Sequence, residues 1–259
     1  MTNIYLTCFH FKEIIFHTID RIKQTTKLPH RIVVIENKSE NSNQIKKNLE
    51  CYLALKKIDK AYIFDNNSRK NRLKAIQDDL QENPSEYIVI SDQDAYIEEG
   101  CTECWLTNFL NLLENKELQL GAVGFSCHNL QWRMKKIDKK PVAPNKSCDF
   151  TIFGPAEFKD WEIPFNEHFI TMKYNYLKEL YENREWIDDR RIHNFNHKKS
   201  LNSARYNKNS VHNLSCVSIF NEKPESLAVK IEIDAGYENL RENIKKTIDI
   251  PLGDFTIIK

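Results

Sequence analysis

An α/β fold, with a mostly parallel sheet flanked by helices on both faces, is the expectation from three features of this chain. Short β-branched apolar runs alternate with stretches whose apolar residues recur at helical spacing, four times before residue 95. Breakers such as Pro29 and Pro84 fall between these segments. Polar loops follow each apolar run, as they do where parallel strands open toward a ligand.

Asn3–Cys8 reads as a buried strand, and residues 12–25 carry Ile14, Ile15, Ile19 and Ile22 on one helical face. Arg31–Glu36 is a second, strongly β-branched strand, and Asn37–Ser42 a polar loop. Residues 44–57 form a helix with Ile45, Leu49, Tyr52 and Leu53 inward. Ala61–Phe64 is a third strand, Asp65–Ser68 a turn and Arg69–Gln81 a helix. Tyr87–Ser91 is a fourth strand that runs into Asp92-Gln93-Asp94. The second half is less regular. It offers a helix over 103–115, strands at Leu120–Ser126 and Asp149–Phe153, and a Lys- and Pro-rich loop over 131–147. A helix near 173–184, a polar stretch Glu185–Asn213, an edge strand Val229–Ile233 and an amphipathic helix over 237–247 complete it. No internal repeat and no clear interdomain linker stands out.

Composition removes several classes of function. The 259 residues carry 38 Lys and Arg against 37 Asp and Glu, so a globally polybasic nucleic-acid binder is not indicated. The 28 aromatic residues and 41% hydrophobic content are those of a folded chain. No apolar run approaches the roughly 18 residues of a membrane helix, and the opening residues lack a basic leader pattern. A cytoplasmic protein, free or peripheral at the inner membrane surface, is the expectation. Seven cysteines include a single C-x-x-C, Cys101 and Cys104, without the second pair a structural zinc would need. Six glycines leave no phosphate-binding loop of the Walker or dinucleotide type.

The sharpest motif is Asp92-Gln93-Asp94. Alternate residues on an extended chain point the same way, so both carboxylates can converge at the carboxyl end of a strand. Hard oxygen ligands of this kind suit Mg²⁺ or Mn²⁺, held together with substrate phosphates. Taken alone, the motif reads more readily as a solvated turn, since Asp is common where strands end.

Its context resembles the nucleotide-binding half of family 2-type glycosyltransferases with the GT-A (Rossmann-like) fold. That family follows its second strand with an acidic loop, matched by Ile32-Val-Val-Ile-Glu-Asn-Lys-Ser39. An Asn-rich stretch and an R-N pair opening a helix resemble Asn66-Asn67 and Lys70-Asn71-Arg72, and the D-x-D strand resembles Ile88–Asp94. Glu36 stands where Asp is usual, Lys38 where Gly is usual and Leu73 where a Gly often sits. The resemblance implies a nucleotide-diphosphate sugar donor, with Thr7 and Glu36 beside the base. It implies Asp92 at the ribose or metal, Asp94 on the metal, and Asn71 with Lys70 or Arg72 toward the diphosphate. Surface-turn chemistry is the alternative for Glu36, Asn71 and Arg72.

In the acceptor half, Trp186–Ile192 resembles the family's acidic pair before a short helix, and Ser210–Ser215 its His-bearing loop. The resemblance implies Asp188 or Asp189 as the base of an inverting transfer, Asp188 being favoured, and His212 as a third metal ligand. Helix capping or pairing with Arg190 and Arg191 is the alternative for the two aspartates, and a hydrogen-bonding loop histidine that for His212. Basic, aromatic-bearing stretches at 133–140 and 190–199, continued by Arg205, Tyr206 and Lys208, read first as solvated faces, and the functional alternative is attraction of an anionic acceptor. The expectation is one GT-A-like domain over 1–220, with a nucleotide-sugar half over 1–95 and an acceptor half over 96–220, then an extension over 221–259. Its function would be metal-dependent transfer of a sugar to a hydroxyl of a glycan or lipid-linked glycan. Other readings are transfer to modified nucleic acid, a nucleotidyltransferase, and a non-catalytic binding module.

Overall fold

The computed structural model describes residues 1–9, 14–39, 42–68, 70–98, 101, 103–127, 150–153, 169–175, 202–213 and 252–259. Four strands form a parallel core: β1 (Thr2–Cys8), β2 (His30–Asn37), β3 (Lys60–Phe64) and β4 (Tyr87–Asp92), in the order β3-β2-β1-β4. Helices α1 (Ile14–Thr25), α2 (Ser42–Ala54) and α3 (Lys70–Glu82) make the crossovers. Beyond β4 the sheet continues through β8 (Phe169–Lys173), β6 (Leu120–Cys127) and β9 (Asn202–Asn213) to β5 (Ala95–Ile97). β7 (Phe150–Phe153) pairs with β9, and β10 (Phe255–Ile258) runs antiparallel to β3 at the opposite edge. Helix α4 (Trp105–Glu114) lies between β5 and β6 in the chain.

The side-chain alternation of β1 explains why the strand is buried throughout, with Ile4, Tyr5 and Leu6 as its apolar centre. Ile4, Leu6 and Cys8 join one core with residues of α1, α2 and α4, including Ile15, Ile19, Leu49 and Trp105. Tyr5 joins the other, with Ala75, Ile76 and Leu80 of α3. A strand covered by helices on both faces has no solvated side to keep polar. Trp105, Phe109, Phe125 and Phe169 close the first core with edge-on and tilted ring contacts, Trp105 and Phe169 having centroids 5.0 Å apart.

The α/β class and all four expected parallel strands hold. Helix α2 ends earlier than residue 57 because Lys56 adopts a left-handed backbone (φ 57°). The Lys56 amide donates to the Leu53 carbonyl and the Lys57 amide to that of Tyr52, the paired bonds of a Schellman stop. Strands β5, β8, β9 and β10 are additions to the sequence reading. β9 lies within the polar stretch Glu185–Asn213, and Lys173, the expected start of a helix, is the last residue of β8. The expected strand at 229–233 and helix at 237–247 lie outside the described residues. Among the described residues no helix is long and apolar enough to cross a membrane.

Candidate functional site

The carboxyl ends of β2, β1 and β4 lie side by side, and their register brings the predicted donor residues together. Cys8 pairs with Glu36 on one side of β1, and Thr7 with Asp92 on the other. Three side chains from distant parts of the sequence then meet. The Arg72 Nε, in the first turn of α3, donates to Thr7 Oγ1 at 2.7 Å, and its guanidinium is also ion-paired with the Asp92 carboxylate. Arg72 and Thr7 are buried, while the Asp92 side chain keeps 29% of its surface exposed. A fixed cation therefore lies against a carboxylate that reaches solvent.

Glu36 is fully buried. Its Oε1 accepts the Ser39 amide at 2.6 Å, while its Oε2 has no hydrogen-bond partner among the described residues. Burial raises its pKa above the ordinary carboxylate value, against the opposing influence of Cys8 and Ser39. Burial, reinforced by Glu36, pushes the Cys8 thiol up as well. The loop turns at Lys38, which is exposed and holds a left-handed backbone (φ 47°). That is the conformation for which glycine is favoured.

Gln93, between Asp92 and Asp94, is the residue at this strand end that sequence reasoning passed over. It is buried, its Oε1 accepts the Phe9 amide at 3.0 Å, and its Nε2 donates to the Phe9 carbonyl at 2.6 Å. Its backbone amide donates to the Thr7 carbonyl at 2.9 Å, and its carbonyl accepts from Thr18 Oγ1 at 2.6 Å. The loop carrying Asp92 and Asp94 thus hangs from the end of β1 by both the backbone and the side chain of its central residue. The expected strand-like alternation of Asp92 and Asp94 does not carry through: β4 ends at Asp92, Gln93 and Asp94 lie in a turn, and Asp94 is buried where Asp92 is partly exposed.

Asp94 is also buried, and its carbonyl accepts the Tyr96 amide in the turn that opens β5. β5 pairs with β9 so that His212 lies opposite Tyr96, two residues beyond Asp94. The fold thereby brings the backbone of His212 beside the D-x-D segment from 118 residues away in sequence. Asn71 is fully buried, with its amide bonded to Asn37, Asn66 and Gly253, and Lys70 beside it is exposed. Asp188, Asp189 and the basic stretches at 133–140 and 190–199 lie outside the described residues. Arg205 is on β9, opposite Gly124 of β6 and Thr151 of β7.

Among the described residues no group of three or more His, Cys, Asp and Glu side chains is gathered tightly enough to hold a metal by itself. Two carboxylates at the end of one strand match a divalent ion that completes its shell with phosphate oxygens. Cys104 does not belong to such a cluster; its sulfur accepts the Lys27 amide at 3.1 Å.

No family model matches the chain. An uncharacterized protein of Acanthamoeba polyphaga mimivirus is 33% identical over 130 residues, covering 45% of this chain and 26% of that protein. The chain therefore spans about a quarter of the length of that relative. Among solved structures, S. aureus TarS 1-349 is similar over 93% of this chain and 73% of its own, at 13% identity and a TM-score of 0.51. GalNAc-T7, solved with UDP, GalNAc and Mn²⁺, is similar over 97% of this chain and 59% of its own, at 10% identity and a TM-score of 0.54. UDP-glucose pyrophosphorylase complexed with UDP-glucose is similar over 90% of this chain and 98% of its own, at 9% identity and a TM-score of 0.54. The chain has the GT-A-like fold shared by nucleotide-sugar glycosyltransferases such as TarS and GalNAc-T7.

Proposed function

We propose that this chain is a divalent-metal-dependent glycosyltransferase that moves a sugar from a nucleoside-diphosphate sugar to a hydroxyl acceptor. The observation that carries this reading is the convergence of Glu36, Arg72 and Asp92 on the end of β1. Each has a role that follows from its chemistry. The unpartnered Oε2 of Glu36 is a buried acceptor for an N–H of the nucleobase, and burial without such a donor is costly. Arg72 carries a cation suited to phosphate oxygens. Asp92 and Asp94 would hold Mn²⁺ or Mg²⁺ with the diphosphate, and His212 would add a ligand from β9. Bound there, the ion would supply Lewis-acid stabilisation of the leaving diphosphate.

In the inverting form of the reaction, the carboxylate of Asp188, or of Asp189, takes the proton of the acceptor hydroxyl. The acceptor oxygen bonds to the anomeric carbon as the bond from that carbon to the phosphate oxygen breaks. The nucleoside diphosphate leaves with the electron pair. The acceptor proposed is a glycan or lipid-linked glycan of a cell surface, reached from the cytoplasmic side, with 1–220 as the transferase domain and 221–259 as an extension. Modified nucleic acid is a further acceptor compatible with the basic stretches.

The test is calorimetric titration of UDP, GDP, ADP, CDP and dTDP, with and without Mn²⁺, on the wild type and Asp94→Ala. Metal-dependent binding of one diphosphate, lost in the variant, is the expected result. No binding by the wild type under either condition overturns the reading in favour of a non-catalytic binding module. The likeness to UDP-glucose pyrophosphorylase gives a second reading, nucleotidyl transfer. Formation of a nucleoside triphosphate from a nucleotide sugar and pyrophosphate would select it. Against it, the segment Phe9-His10-Phe11-Lys12-Glu13 after β1 contains no glycine.

A further inference from the structure

The segment leading into β10 reaches the site from the opposite edge of the sheet. β10 pairs with β3 from Phe255 opposite Phe64 to Ile258 opposite Ala61, and Phe255 packs on Tyr62 and Phe64 with ring centroids 5.5 and 5.0 Å away. Just before it, the Asp254 carbonyl accepts the Asp65 amide at 2.9 Å, and the Gly253 amide donates to Asn71 Oδ1 at 3.1 Å. The Asn71 Nδ2 donates to Asn37 Oδ1 at 3.1 Å, to the Asn66 carbonyl at 3.0 Å and to Asn66 Oδ1 at 3.2 Å. One buried amide thus ties together the end of β2, the β3–α3 loop, the first turn of α3 and the β10 segment.

Only glycine fits at position 253. A Cβ there would stand 2.6 Å from Asn66 Oδ1 and 2.7 Å from Asp65 Oδ1. The Asn66 oxygen cannot move aside freely, because it also accepts the Ser68 amide at 3.1 Å and the Asn71 Nδ2. Arg72, which bridges Thr7 and Asp92, is the next residue after Asn71. The first turn of α3 is therefore held by the latch at one residue and engaged with the site at the following one.

We propose that Asn71, latched by the Gly253 amide, is a positioning residue that aims Arg72, so that the β10 segment sets the affinity for the nucleoside diphosphate. This rests on the donor-site reading above. Loosening the latch lets the first turn of α3 shift, and Arg72 then loses its geometry against Thr7 and Asp92. Small displacements of a positioned charge are costly to binding even where no contact with the ligand is removed.

The experiment measures melting temperature and the dissociation constants of UDP and GDP with Mn²⁺ for six proteins. These are the wild type, Gly253→Ala, Asn71→Asp, Arg72→Ala, Gly253→Ala with Arg72→Ala, and Phe255→Ala. Gly253→Ala is expected to weaken the bound diphosphate about tenfold. Added to Arg72→Ala it is expected to cost nothing further, since coupled residues do not act additively. Phe255→Ala, which removes packing from β10 without touching the latch, is expected to lower the melting temperature while changing affinity less than about twofold. Asn71→Asp keeps the acceptor for Gly253 and loses the donors, so it reads the same coupling if Gly253→Ala fails to fold. Unchanged affinity in both latch variants, or losses that multiply with that of Arg72→Ala, overturns the latch alone. A wild type that binds neither diphosphate overturns the latch and the donor site together.

Discussion

Two buried carboxylates at opposite ends of the same sheet have been treated differently. Asp79 and Glu36 are both fully buried. At the amino ends of the strands, Asp79 accepts from Arg31 at 2.9 and 3.3 Å, Lys60 at 3.2 Å, Tyr5 at 3.0 Å and Asn83 at 3.2 Å. At the carboxyl ends, Glu36 accepts from Ser39 and leaves Oε2 without a partner among the described residues. Burial raises the cost of an unmet polar group, so a saturated carboxylate suits architecture and a half-satisfied one suits a ligand. The contrast separates the end of the sheet that holds the fold together from the end at which we propose the donor binds.

The largest effect tests the architectural end. Asp79→Ala leaves Arg31 buried without its carboxylate and takes from Lys60 one of its two, Glu82 remaining. Breaking such a network costs about 3–5 kcal/mol, or a melting temperature lower by roughly 10 °C in a chain of this size. Thermal denaturation checks it. Below the transition, diphosphate affinity should stay within about twofold of wild type, and a larger loss would erase the distinction between the two ends.

Glu36→Gln probes the functional end and should reverse the sign. The folded state holds the Glu36 proton more tightly than the unfolded chain, whose carboxyl has the ordinary value of 4.5. The stabilisation this gives is fully present below that value and is lost as pH rises through the raised one. The amide variant never ionises, so it should melt above wild type at pH 8, with the gap closing toward pH 4. In the same variant Oε1 remains with the Ser39 amide and an NH₂ replaces the unpartnered oxygen. A base N–H then meets a donor, and diphosphate affinity should fall about tenfold. Melting curves from pH 4 to 8 and titration at pH 7.5 check both halves.

The smallest effect compares two lysines in left-handed backbone, Lys38 with φ 47° and Lys56 with φ 57°. Glycine at either position relieves about 1–2 kcal/mol of steric strain and costs about 0.5–1 kcal/mol of chain entropy. Both variants should melt slightly above wild type. Lys56→Gly acts at the helix stop and should leave diphosphate affinity unchanged. Lys38→Gly removes a side chain from the Glu36 loop, and a measurable change in affinity there marks that side chain as part of the donor site.

The parallel core was legible because strands buried on both faces read as continuous β-branched runs, as Arg31–Glu36 does. The ends of those strands were legible for the same reason, since polarity returns abruptly at Glu36, Asp65 and Asp92. β9 was not legible: its sequence Asn202–Asn213 is polar, and its pairing is with β5, β6 and β7, strands distant from it in sequence. β5 has only three residues, too few for any periodicity. Asn71 was legible as a polar residue opening a helix, but its bond to Gly253 spans 182 positions, and no local pattern encodes that. The Asp79 network was hidden in plain charges, because Arg31 and Lys60 look like solvated residues until the sheet register stacks them.

The backbone at Lys38 shows what a tight turn asks of a residue that is not glycine. The lysine holds a positive φ of 47° with its side chain exposed, at a position where the resembled pattern has glycine. What the turn constrains is a torsion angle rather than a residue type, so a long side chain is accommodated there at the cost of local backbone strain.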